Sequence, residues 1–144
     1  MQGIDWVDLA TTSHYQTAVA IREALNGADL EEAKRGTEEL IDALSRAEKR
    51  ALRSQLIRLM LHIMKWKTQV DYRSVSWPVS ILSARHEIAD IQEDTPSLTR
   101  KVIEGIWEKC FKAAKEYAEA ETGQKVSVKR LTWYEVFDKD YRVP

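Results

Sequence analysis

Residues 52–66, LRSQLIRLMLHIMKW, constrain the fold of this chain more than any other stretch. Advancing about 100° per residue from Leu52 puts Leu56, Leu59, Ile63 and Trp66 within about 40° of it. Ile57, Leu61 and Met64 fall at about 120–180°, with Met60 between the two groups. More than half of the circumference is apolar, so this segment must be covered by neighbours on several sides. It is the central helix of a bundle.

The rest of the chain agrees with an all-α reading. Only five glycines and three prolines occur in 144 residues, which leaves room for long regular elements, and period-2 strand patterns are rare. Five main helices and a short sixth are expected. Ser13 with Gln16 makes a capping box for the first helix, which stops near Asn26-Gly27. Asp29 caps the second, whose Leu30, Ala33, Thr37, Leu40, Ile41 and Leu44 fall on one face. Ser45 with Glu48 matches another capping box, so a third helix over residues 46–67 should follow after almost no loop. The second and third helices would then be antiparallel neighbours.

After an irregular stretch, Ser76-Trp77-Pro78 opens a fourth helix, where proline's missing N–H has no partner to lose. Trp77, Ile81, Ala84, Ile88 and Ile91 form its buried stripe, and Asp94-Thr95-Pro96 ends it and caps the next. The fifth helix runs to about Glu121, burying Leu98, Val102, Ile103, Ile106, Trp107, Cys110, Phe111, Ala114 and Tyr117. Thr132 with Glu135 predicts one or two helical turns in the tail. Trp133, Phe137 and Tyr141 are too large an apolar load for a free tail, which should dock on the bundle. The expected organisation is a single helical domain over 1–144, with a bundle over 1–122 and a docked tail over 123–144.

Hydrophobic residues at 44% and charged residues at 31% suit a soluble globular protein. One cysteine excludes an internal disulfide and fits a reducing compartment. No apolar run approaches the roughly 20 residues of a membrane span. The N-terminal MQGIDWVD lacks the basic and apolar regions of a signal peptide. A cytoplasmic protein without membrane contact is expected.

The motif order, "SRAEKRALRSQLIRLMLHIMKWKTQ", "RSVSWPVSILSARHEIADIQEDTPSL" and "LTWYEVFDKDYRVP", resembles a bacterial, notably cyanobacterial, helical family, domain of unknown function twenty-nine. The likeness spans nearly the whole chain and is most specific at His62, Lys65-Trp66, Ser76-Trp77 and Thr95-Pro96-Ser97-Leu98. It implies a small all-helical protein. It brings no assigned activity and no catalytic residues.

Charge is unevenly spread although the net charge is −1. Residues 1–45 hold nine acids and three bases, whereas residues 46–73 hold eight bases and two acids. Arg46, Lys49, Arg50 and Arg53 share one face of the first turns of the third helix. Like charges repel, and cations oppose the dipole at a helix N-terminus, so something negative should offset them. Glu38, Glu39 and Asp42 are internal candidates. A protein partner or nucleic-acid phosphates are external ones.

Other candidates are sparser. His62 lies at the margin of the central helix's apolar face, where a histidine is usually half-buried and hydrogen-bonded. Arg85 flanks the stripe of the fourth helix and would snorkel out or pair with a carboxylate or phosphate. If the two helices pack, His62, Lys65, Trp77 and Arg85 would line an anion groove. His86 and Asp90 occupy the first and last positions of HEIAD, where a zinc protease helix carries two histidines; they are a weak metal pair and read as a solvated face. Cys110 reads as buried filler. No nucleophile–base pair, phosphate loop, metal set or cofactor motif is legible, so catalysis is not expected. The functional expectation is a non-enzymatic interaction or regulatory module, as a homodimer or with another protein. Nucleic-acid association through the basic face is the alternative.

Overall fold

The computed structural model describes residues 3–143, which form five α-helices, one 3₁₀ turn and one π-helical turn, with no strand among them. The chain divides into two compact units, Met1–Lys49 and Arg50–Pro144. Five main helices are present as expected, but two boundaries differ in ways that matter below.

The first unit begins with α1 (Trp6–Thr12), which sequence periodicity did not reveal because it is only seven residues long. Asp5 caps it by accepting from the Asp8 N–H. Ser13, in an extended conformation, ends α1 and caps α2 (His14–Asn26), its hydroxyl accepting from Gln16 N–H as the capping box requires. The turn after α2 is a Schellman motif: Ala28 N–H reaches Leu25 C=O and Asp29 N–H reaches Ala24 C=O. Its left-handed residue is Ala28, at φ 60°, while the adjacent Gly27 stays at φ −86°.

α3 then runs unbroken over Leu30–Thr68, 39 residues. The break expected at Ser45 is absent, and the second and third expected helices are one. A serine inside a helix costs only about 0.5 kcal/mol relative to alanine, and no glycine or proline stands near Ser45 to stop propagation. The Ser45–Glu48 spacing is a capping box in sequence only.

The buried residues of the first unit are Trp6, Ala10, Thr17, Ala33, Gly36 and Ala43. Trp6 packs directly against the glycine: a Cβ added at Gly36 would fall 2.6 Å from Trp6 Cζ3 and 2.7 Å from Ile21 Cγ1. The indole N–H donates to Glu32 Oε2 at 2.8 Å, so this buried ring keeps no unpaired polar atom.

The second unit is built on residues 50–68 of α3, the 3₁₀ turn Val70–Tyr72, α4 (Ser76–Asp94), α5 (Arg100–Thr122) and the tail. Leu52, Leu56, Leu59, Met60, Ile63 and Met64 are fully buried, and Ile57 and Leu61 pack at the margin of the core. In α4 the buried stripe narrows to Ile81, Ala84 and Ile88, with Trp77 and Ile91 half-buried. The expected α5 face holds except at Tyr117, which is 57% exposed. α5 starts at Arg100, with Thr99 in the N-cap position but making no side-chain cap bond, so Asp94-Thr95-Pro96 ends α4 but does not cap α5.

Gly123, left-handed at φ 67°, ends α5 and turns the chain into the tail. Val126, Leu131, Val136 and Tyr141 enter the core, so the tail is docked as expected. Trp133 stacks on Trp107 with ring centroids 5.7 Å apart, and Trp107 Nε1 donates to Leu131 C=O. Thr132 and Glu135 form the reciprocal capping box, which here opens a π-helical turn, Tyr134–Asp138.

Candidate interaction surface

The polar residues singled out in sequence fall into separate environments. Arg46 lies 3.6 Å from Asp42, one turn earlier, and both are exposed. Lys49 and Arg50 are exposed and Arg53 is half-buried; among the described residues none of the three has a carboxylate within ion-pair distance. Glu38 and Glu39 do not reach them as ion-pair partners.

Of the four groove residues, Lys65 and Trp77 come together, with the ammonium 5.1 Å from the indole centroid and 3.0 Å from the Glu121 carboxylate. His62 is half-buried, and its Nδ1–H donates to Arg58 C=O at 2.8 Å. Burial, reinforced by the charges of Lys65 and Arg58, holds its imidazole below the ordinary histidine range, although the Arg58 bond opposes this. Arg85 is directed to the tail: Nε donates to Val136 C=O at 2.8 Å, and Nη2 to Lys139 C=O at 2.8 Å and Glu135 C=O at 3.3 Å. Its hydrogen-bond partners are therefore carbonyls of the π-helical turn and of the residue after it rather than a carboxylate. Sequence patterning cannot foresee this, because the acceptors belong to the backbone.

His86 and Asp90 are both exposed on α4, and no cluster of three metal-ligating side chains occurs among the described residues. Cys110 is fully buried, its Sγ 3.9 Å from Arg53 C=O, and burial pushes its thiol up to about 11. A thiol so placed is not a nucleophile at neutral pH.

The surface that sequence reasoning missed lies on the first part of α3. The face holding Leu30, Ala33, Thr37, Leu40, Ile41 and Leu44 splits in two. Its Ala33 margin continues through Gly36 to Ala43 as a small-residue stripe that is buried, with Gly36 against Trp6 and Ile21. The larger side chains, about 90° away around the helix, look to solvent: Leu30 and Ile41 are 61% exposed and Leu44 is 41% exposed. Leu25 of α2, also exposed, joins Leu30, Ala33, Lys34, Thr37 and Glu38 around a groove of about 280 Å³. Thr37 Oγ1 donates to Ala33 C=O at 2.8 Å, so its polar atom is already bonded within the helix. The available signal was Gly36: a lone glycine inside a helical pattern marks close approach, and so identifies which stripe faces inward.

A second exposed apolar set lies on α4, where Val79 and Leu82 border a groove of about 310 Å³ closed by Arg85, Tyr141 and Arg142. No helix among the described residues is long and apolar enough to cross a membrane.

No curated protein and no solved structure matches the chain. A family model does: that of Domain of unknown function DUF29 matches residues 14–141, taking in most of the helical elements described above. The chain belongs to that family.

Proposed function

We propose that the chain is a non-enzymatic protein-interaction module that receives an amphipathic helix on the open stripe of α3, acting in the cytoplasm. The observation that carries this reading is the exposure of Leu30, Ile41 and Leu44 along one helical face beside an apolar groove. Large aliphatic side chains at spacings of eleven and three residues, three turns and one turn of helix, are what a second helix packs between, and an exposed apolar strip is unfavourable in water until covered. The candidate reactive groups favour binding over chemistry: Cys110 is held as a buried thiol, and His62 is bonded to backbone.

The test uses the intact chain and its Ile41→Lys, Leu44→Lys double variant. Both positions are exposed, so the variant is expected to keep its helical circular dichroism. A protein captured from the native host, identified and re-bound in pure form, should bind the wild type and lose at least tenfold in affinity for the variant. Equal affinity for both would remove this surface.

Nucleic-acid contact is a second reading, supported by Lys49, Arg50 and Arg53 lacking acidic partners among the described residues. Binding through these bases would be directed to phosphates and weaken steeply with salt. Absence of DNA and RNA binding at low salt, or binding unchanged when Arg46, Lys49, Arg50 and Arg53 are all replaced by Ala, would exclude it.

A further inference from the structure

The stripe on α3 is symmetric in a way that selects its occupant. Leu30 and Leu44 stand seven residues either side of Thr37. In an antiparallel pair of identical helices crossing at Thr37, each Leu30 therefore meets the other copy's Leu44, and Ile41 comes over the groove that the buried Ala33 helps to line. Thr37 meets itself at the crossing, where a short side chain allows close approach. Its hydroxyl is occupied by Ala33 C=O, which leaves the methyl group to face the crossing.

Charge follows the same symmetry. Lys34 and Glu38 border the groove one turn apart, on the solvent side of the stripe. Among the described residues neither has an ion-pair partner; the pairs of the first unit are Arg35–Glu32 and Arg46–Asp42. Antiparallel pairing about Thr37 carries each Lys34 to the other copy's Glu38, on the same side of the interface, twice by symmetry. Parallel pairing puts the two rims on opposite sides and leaves these charges unmatched. An interface in which one patch meets itself under a two-fold axis is the common form of homodimer.

We propose that the occupant of the α3 stripe is a second copy of this chain, the two helices lying antiparallel about a two-fold axis at Thr37, with Leu30 of each against Leu44 of the other and Lys34 against Glu38. This rests on the docking reading above and names its partner.

Cross-linking tests the register directly. Thr37→Cys should form an interchain disulfide under mild oxidation, because the two copies face each other at the axis. Leu30→Cys alone should not, since its two copies would lie about 21 Å apart, fourteen residues of helix rise. A mixture of Leu30→Cys and Leu44→Cys chains should cross-link to each other. Self-cross-linking of Leu30→Cys would show a parallel pair and overturn the proposal. Sedimentation equilibrium should find a species of twice the 16.6 kDa chain mass. Ile41→Lys should raise its dissociation constant by at least about 100-fold, because both copies lose an apolar contact and gain a charge.

A charge exchange gives an independent reading. Lys34→Glu should weaken the dimer, and adding Glu38→Lys in the same chain should restore it. A strict monomer at every concentration overturns self-pairing. If an identified protein then still binds and is lost with the Ile41→Lys, Leu44→Lys variant, the docking reading stands without it. If nothing binds, both fall.

Discussion

Ala28 carries the left-handed turn between α2 and α3 although a glycine stands beside it. The hydrogen-bond ladder explains the choice: the Schellman pairing fixes the left-handed site one residue beyond Gly27. A side chain there strains the backbone, so Ala28→Gly should stabilise the protein by about 0.5–1 kcal/mol, net of the greater freedom glycine adds to the unfolded chain. Urea denaturation would show the raised midpoint. His62 makes a prediction of opposite sign for acid. Its folded-state pKa lies below the unfolded value near 6.5, so the unfolded chain binds the extra proton more readily. The stability that neutral His62 contributes is present above about pH 6.5 and is lost as pH falls through the folded pKa. The urea midpoint should drop between pH 7 and pH 5, by less in His62→Gln, and an unchanged pH dependence in that variant would rule out His62 as the source.

Among the elements, the small-residue stripe of α3 and the π-helical turn carry the sharpest consequences. Gly36→Ala would gain helix propensity of about 1 kcal/mol, yet its methyl must displace a buried indole and Ile21. Net destabilisation of about 1–2 kcal/mol is expected, with altered near-ultraviolet circular dichroism from Trp6. Arg85→Met keeps the apolar stem but removes donors to two carbonyls of the turn and to that of Lys139 just after it. It should cost about 2 kcal/mol by thermal denaturation and free the tail before the helices melt. These elements also mark the limits of sequence reading. Capping chemistry placed the start of α2 and the turn at Thr132 correctly, because each cap is a local bond between residues three apart. The same logic failed at Ser45, where propagation through good helix formers outweighed a cap. The helix α1 was missed although Asp5 caps it through the Asp8 N–H, because seven residues span only about two turns, too few to establish a repeat.

Across the molecule, the central segment and the tail's docking were legible because they follow from apolar area alone. The inward face of α3's first part was not, because the deciding contact is Trp6 on Gly36, a pairing between distant residues. Burial differs accordingly along one continuous helix. Leu52, Leu56, Leu59 and Ile63 are fully buried, whereas Leu30, Ile41 and Leu44 are largely open. Amide hydrogen exchange at low protein concentration should therefore be at least tenfold slower over residues 52–66 than over residues 30–44. Uniform protection along α3 would contradict this. The Trp107–Trp133 stack has a consequence of an optical kind. Two indoles stacked at 5.7 Å and skewed by 21° couple their electronic transitions and give a two-signed far-ultraviolet circular dichroism band that isolated indoles lack. One of them sits on α5 and the other on the tail, so the band should vanish whenever the tail leaves its seat. The chain thereby carries its own chromophore for watching that closure, with no label attached.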